Sequence, residues 1–179
     1  NCGTSPAGMA VEIPQNTYVA ASPTLGTMAS ISVDVDVPAG ATINDISVMT
    51  KINHTWVGDV IILLEAPNGD ILHLIHEPGN DTPDTCCGDS SDFSEDGPLN
   101  FSDAFVNDPE DMGSTIDGVQ FVCVDDGICD YFPNGDGAIL PTDATGVLVN
   151  TFADFFAQGD GLDGTWTLHV ADGNAGDTG

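Results

Sequence analysis

The chain has 179 residues, a length that predicts a single domain with short extensions. It carries 29 Asp and Glu residues against one basic residue, Lys51, for a formal charge of −28. That balance excludes nucleic acid and anionic membrane surfaces as partners, since both need Lys and Arg to neutralise phosphate.

No apolar run reaches the roughly 18 residues of a membrane-spanning helix, so no membrane insertion is expected. The chain opens without a signal-type stretch and reads as mature. Residues 1–27, with short apolar pieces at 11–13 and 18–21, read as an N-terminal arm with edge strands. Ile31, Val33, Val35 and Val37 then alternate with Ser32, Asp34 and Asp36, the period of a half-buried strand. Ile43, Ile46, Val48 and Ile52 predict the next strand, bulged near Asn44-Asp45 where the alternation slips. Residues 60–64 form a continuous apolar run, as in a strand buried on both faces. The turn Pro67-Asn68-Gly69-Asp70 leads to its partner, marked by Ile71, Leu72, Leu74 and Ile75. A long polar segment follows at 80–98, and a loop of that length is functional or pinned. Phe101, Phe105, Val119, Phe121 and Val124 mark further strands, 152–156 a helical turn, and Trp166, Leu168 and Val170 a core strand. The reading is all-β, about eight to ten short strands in a sandwich or jelly roll.

Five cysteines, Cys2, Cys86, Cys87, Cys123 and Cys129, show neither C-x-x-C nor zinc spacing and are disulfide candidates in an oxidised, extracellular protein. Cys123 and Cys129 flank an Asp126-Gly127 hairpin signal and are placed to face each other across it. The adjacent Cys86 and Cys87 would reach Cys2 or the hairpin pair, and the odd count leaves a free thiol or an intersubunit bond.

Of the acids, 24 are Asp and 5 are Glu, and fifteen of them fall between residues 81 and 136. Asp suits turns and short oxygen cages, whereas Glu favours helices. Charges closer than the Debye length of ~8 Å repel with little screening, so bound Ca²⁺ or high external salt is expected to offset them.

Two stretches, INHTWVGDVIILLEAPNG at 52–69 and GTWTLHVADGNAGDTG at 164–179, resemble the P domain (Homo B domain) of proprotein convertases and secreted bacterial subtilisin-like proteases. The resemblance is carried by His54, Thr55, Gly58, Asp59, Ile62, Leu64, Pro67 and Gly69, and later by Gly164, Trp166, Leu168, Val170, Asp172, Gly176, Asp177 and Gly179. Asn100-Phe101-Ser102-Asp103-Ala104-Phe105 is a weaker match. It implies a jelly-roll-like β-sandwich over 28–179, non-catalytic, secreted and calcium-binding, with acidic, Cys-containing insertions at 80–98 and 123–137. It also implies a protease domain as partner. The chain stops where the family continues into a further strand, so an open sheet edge is expected.

Asp172, Asn174 and Asp177 open like a calcium loop but lack its closing Glu. Asp108, Glu110 and Asp111, with Asp103 upstream, form a second candidate set. Asp125, Asp126, Asp130 and Asp136, with Asn134, form a third. Asp160 and Asp163, and the loop of Asp89, Asp92, Glu95 and Asp96, are weaker. His54 and Asp59 are expected to be structural, with Asp59 accepting backbone hydrogens and His54 beside it. Cys87-Gly88-Asp89-Ser90 resembles a serine-protease nucleophile segment, but Ser91 stands where glycine is needed, so no catalytic residue is assigned. The leading functional expectation is a self-assembling extracellular subunit of a filament, tube or surface structure. Its partners would be copies of itself, held by calcium and strand exchange. The alternatives are an accessory module of a secreted protease and a surface- or carbohydrate-binding module.

Overall fold

A computed structural model describes residues 10–19, 21–39, 41, 43–80, 87–133, 138–157, 162–177 and 179. The chain is mostly β, in two sheets. Among the described residues the strands are β1 (Ala29–Val35), β2 (Val48–Thr50), β3 (Val60–Glu65), β4 (Ile71–His76), β5 (Leu99–Phe101), β6 (Asp130–Tyr131), β7 (Leu148–Val149) and β8 (Gly164–Asp172), with a single α-helix, α1 (Phe152–Ala157). The larger sheet has the order β1-β8-β3-β4-β7 and the smaller β2-β5-β6. Pairing is antiparallel except for β4 with β7 and β5 with β6.

The sheets form a sandwich because each turns an apolar face inward. Ile62, Leu64, Leu72 and Leu74 meet Leu99, Phe101 and Tyr131 across the core, and Phe152, Phe155 and Trp166 close one end. The rings of Phe155 and Trp166 meet edge-on at 5.2 Å, and the indole nitrogen donates to the Leu162 carbonyl at 3.1 Å. β3 lies between β4 and β8 and is apolar on both faces. Its second face, with Ile61 and Leu63, packs beneath Tyr18, Leu25 and Met28 of the N-terminal arm and beneath Leu140, Ala144 and Leu148. The continuous apolar run at 60–64 thus has its reason in a sheet covered twice.

Several expectations change. The arm has no strand among its described residues; its backbone is tied instead by Thr17 and Tyr18 N–H groups to the Asp172 carbonyl. The predicted strand through 43–52 shrinks to the three residues of β2, because only these pair with β5. Phe105, Val119 and Val124 lie in no strand, and Phe121 makes only an isolated bridge to Asp92. The Asp126-Gly127 pair does not close a two-strand hairpin. Consecutive turns wind residues 121–127, with Gly127 N–H bonded to the Cys123 carbonyl. The winding still brings Cys123 and Cys129 into a disulfide with Cα atoms 4.6 Å apart. Cys87 is disulfide-bonded as well. Cys2, Cys86, Asn134, Asp136 and Asp160 lie outside the described residues.

Candidate functional site

The two stretches singled out in the sequence meet at one end of the larger sheet, where the chain enters β3 and leaves β8. A short 3-10 turn, Val57–Asp59, leads into β3. A strap of residues 87–93 lies across it: Gly58 N–H donates to the Asp89 carbonyl at 2.9 Å, Val57 N–H to Ser91 at 2.8 Å, and the Trp56 indole to Cys87. His54 and Phe93 exchange backbone bonds at the far end of the strap.

Inside this junction sit two carboxylates, Asp59 and Asp172, each 1% exposed. Asp172 ends β8 and accepts the Asn174 N–H at 2.7 Å, and its other oxygen lies 3.4 Å from His54 Nε2. Asp59 accepts from the Asn174 side-chain amide at 2.8 Å, and its carbonyl accepts Gly173 N–H at 2.8 Å. Asp59 is thus bonded across the junction, and His54 stands against Asp172 while its charge also bears on Asp59. Thr55 reaches Asp177 at 3.4 Å, and Gln15 of the arm donates to the Asp177 carbonyl. Burial first, then the charges of Asp172 and Asp177, push the Asp59 carboxyl above its ordinary range, with the Asn174 bond and His54 opposing. Oxygen side chains and accumulated negative charge are the chemistry of a hard-cation site. Among the described residues, however, no group of three or more His, Cys, Asp or Glu side chains is arranged to hold a metal ion.

The other candidate acids are drawn into separate local tasks. Asp108 caps the 3-10 turn Pro109–Asp111 by accepting Glu110 N–H at 3.0 Å. Asp108 and Asp111 line a cleft of about 270 Å³ together with Ile128, Tyr131 and Phe132. Asp125 accepts the Phe121 amide at 2.6 Å, and Asp126 the Ile128 amide at 2.9 Å and the Gln120 side chain at 3.2 Å. Asp130 holds the Asn100 side chain at 2.8 Å. Asp163 accepts Val37 N–H at 2.7 Å, and Asp89 accepts Ser91 N–H at 2.8 Å. Asp103 grips both Phe152 and Ala153 amides, at 2.9 and 2.8 Å, and so caps α1 from a distant loop. These bonds give the preference for Asp a structural reason: a short carboxylate reaches amides that turns leave unpaired. Asp103→Ala is expected to cost about 1 kcal/mol through loss of that cap, read as a lower denaturation midpoint; an unchanged midpoint would show that α1 does not need it.

Sequence reading missed Glu77, a buried residue with φ of 52° packed against Gly173, and Asp143, whose carboxylate accepts Leu25 and Gly26 amides at 2.8 and 3.0 Å. It also missed His73 and His76, both buried in β4. Neither an unusual φ nor a partner more than a hundred residues away leaves a local trace.

The class the fold defines is an all-β sandwich whose signature residues build a junction between a strap, a hairpin and the last strand. The family model of the proprotein convertase P-domain, a protease-associated module, matches residues 43–94, which span β2, the junction turn, the β3–β4 hairpin and the strap. The first of the two resembling stretches is thereby shown; the second, at 164–179, lies outside the match. No curated protein and no solved structure matches the chain. Among the described residues no helix is long and apolar enough to cross a membrane.

Proposed function

We propose that this chain is a non-catalytic, extracellular accessory module that binds and stabilises a subtilisin-like protease domain and is itself braced by calcium. The observation that carries the reading is the P-domain match at 43–94, which falls on the segment whose signature residues are spent on packing and internal hydrogen bonds. The Cys123–Cys129 disulfide favours an oxidising compartment. The calcium reading rests on charge: Asp59, Asp172 and Asp177 gather negative charge at the junction, although no three of their carboxylates are arranged around an ion in this structure. The ion would neutralise charge there; the residues' own part is to close the β3 entrance onto β8.

The test uses the full chain mixed with a subtilisin-like protease domain that lacks a module of this kind. Co-elution, and a rise in the protease's melting temperature, are expected. Separate elution with an unchanged melting temperature would overturn the accessory role. Growth into large particles when calcium is added without protease would overturn it in favour of the self-assembling subunit. A further expected result concerns the metal: chelation in low salt should lower the chain's own melting temperature by several degrees. An unchanged value would favour screening by external salt.

A further inference from the structure

The second face of the larger sheet holds a feature outside this reading. Strict alternation would put His73 and His76 on opposite faces of β4. A bulge intervenes: Leu63 pairs with His73 and Ile62 with Ile75, leaving Leu74 as the extra residue. Both imidazoles therefore turn to the same covered face, their rings 5.3 Å apart and edge-on. His76 meets the Tyr18 hydroxyl at 3.0 Å. His73 is 1% exposed, and neither of its ring nitrogens makes a hydrogen bond of proper geometry. The backbone of Ile139 only partly relieves it.

The cover over this face is lightly attached. Residues 10–19 and 21–28 and the segment 138–148 contribute no strand to it except the start of β7. The arm is held by the Thr17 and Tyr18 amides on Asp172, by Thr142 N–H on the Pro23 carbonyl, and by Asp143 on Leu25 and Gly26. The 138–148 segment is anchored firmly only at its end, where Ile71 N–H donates to the Val147 carbonyl, Val147 N–H to Asp70 and Gly146 N–H to the Gly69 carbonyl. β3 beneath is paired on both edges. Such a layer opens before the sheet does.

We infer that the cover is an acid-operated latch, released when His73 takes up a proton and cannot remain in its dry site. Burial, and then the neighbouring His76, hold the His73 imidazole down at about 3 from an ordinary 6.5. The neutral ring belongs to the closed form. Closure is fully supported above pH 6.5 and loses support as pH falls from 6.5 toward 3. The groups facing this layer are Tyr18 from the arm, His76 from β4, Asp70 at the entrance to β4 bonded to Val147, His169 from β8 across Leu63, Glu65 and Ser30 bonded to His169, and Asp143 from the 138–148 segment. Of these, His76 alone bears on the charge of His73, and it disfavours it. Against the rise that burial brings, the Leu25 and Gly26 amides hold the Asp143 carboxyl below its ordinary 3.8. Its bonds therefore survive where His73 has already lost support. Opening bares Ile61, Leu63 and Ile71 as an apolar sheet face.

The experiment is amide hydrogen exchange on the full chain at pH 7.5 and 5.0, corrected for intrinsic rates. Protection of Tyr18, Leu25 and Met28 is expected to fall about thirtyfold at pH 5, with β3 and β8 unchanged. His73→Leu, which fills the site without titrating, should reduce the fall to less than about twofold. His73→Gln serves if the leucine variant does not fold. Equal protection at both pH values, or an undiminished fall in the variants, overturns the latch. So does an NMR titration in which the His73 ring protonates near 6.5 while the cover stays protected.

Discussion

Gly58→Ala is expected to lower the stability of the chain by about 3 kcal/mol or more, enough to unfold a marginal domain. A methyl group at Gly58 would lie closer than 3.0 Å to the Cys87 carbonyl oxygen, the Asp89 amide nitrogen and the Gly88 Cα. All three are backbone, so no side chain can rotate away. Gly88 faces Gly58 from the strap, with φ of 55°, a conformation that disfavours L side chains, and its own added methyl would strike the Gly58 Cα. Two glycines crossing back to back thus set the distance between the strap and the turn into β3. Gly26→Ala is the control: its methyl would meet only Asp143, at an ordinary 3.5 Å. The control should stay within about 0.5 kcal/mol of wild type. Guanidinium unfolding of the three proteins reads both numbers. A Gly58→Ala midpoint equal to that of the control would mean that the strap does not lie against the turn. The outcome also bears on the P-domain match, since Gly58 lies within it and packing is the role assigned to it.

The strands that the sequence announced are those whose partners impose a local period. β1 alternates half-buried and exposed positions along its whole length, as Ile31, Val33 and Val35 predict, because only one face of this edge strand meets the core. β3 and β4 read as apolar runs because cover exists on both sides. β6 and β7 were invisible for the opposite reason. Each has two residues, and each pairs in parallel with a strand far away in the sequence. A short parallel strand needs no alternation and no turn signal. The disulfide between Cys123 and Cys129 was legible from spacing, although the turns that close it were not the expected hairpin. The acids were legible as a crowd but not by task. Asp103 caps a helix 49 residues on, and Asp143 holds an arm more than a hundred residues back. Composition reveals that many short carboxylates are present; only the fold shows which amides they reach. At the junction the sequence named Asp172, Asn174 and Asp177 as one group and Asp59 as a separate structural acid, and the structure joins them through the bond from Asn174 to Asp59.

Asp172→Asn combined with Asp177→Asn should change stability in opposite directions with and without calcium. In chelator, Asp59 is a buried carboxylate raised in pKa by burial first and by these two acids next. Removing both charges relieves that repulsion. Asparagine at 172 can still accept the Asn174 amide, now bonded at 2.7 Å, but it exchanges a charged neighbour of His54 for a neutral one. The relief outweighs that loss by a small margin, so a rise of up to about 1 kcal/mol is expected. In millimolar calcium the balance inverts. An ion held at the junction stabilises the folded chain in proportion to its occupancy, and a pair of lost carboxylates weakens it severely. There the double variant should fall below wild type by about 2 kcal/mol. Thermal unfolding in the two buffers reads the sign directly. A variant that gains stability in both buffers would mean that the acids of this loop are an uncompensated burden and that calcium acts elsewhere. A variant indistinguishable from wild type in both would remove the loop from the calcium reading altogether. Only the reversal of sign ties the ion to these oxygens, because loss of a hydrogen bond or of packing volume destabilises in the same direction whether or not the metal is present.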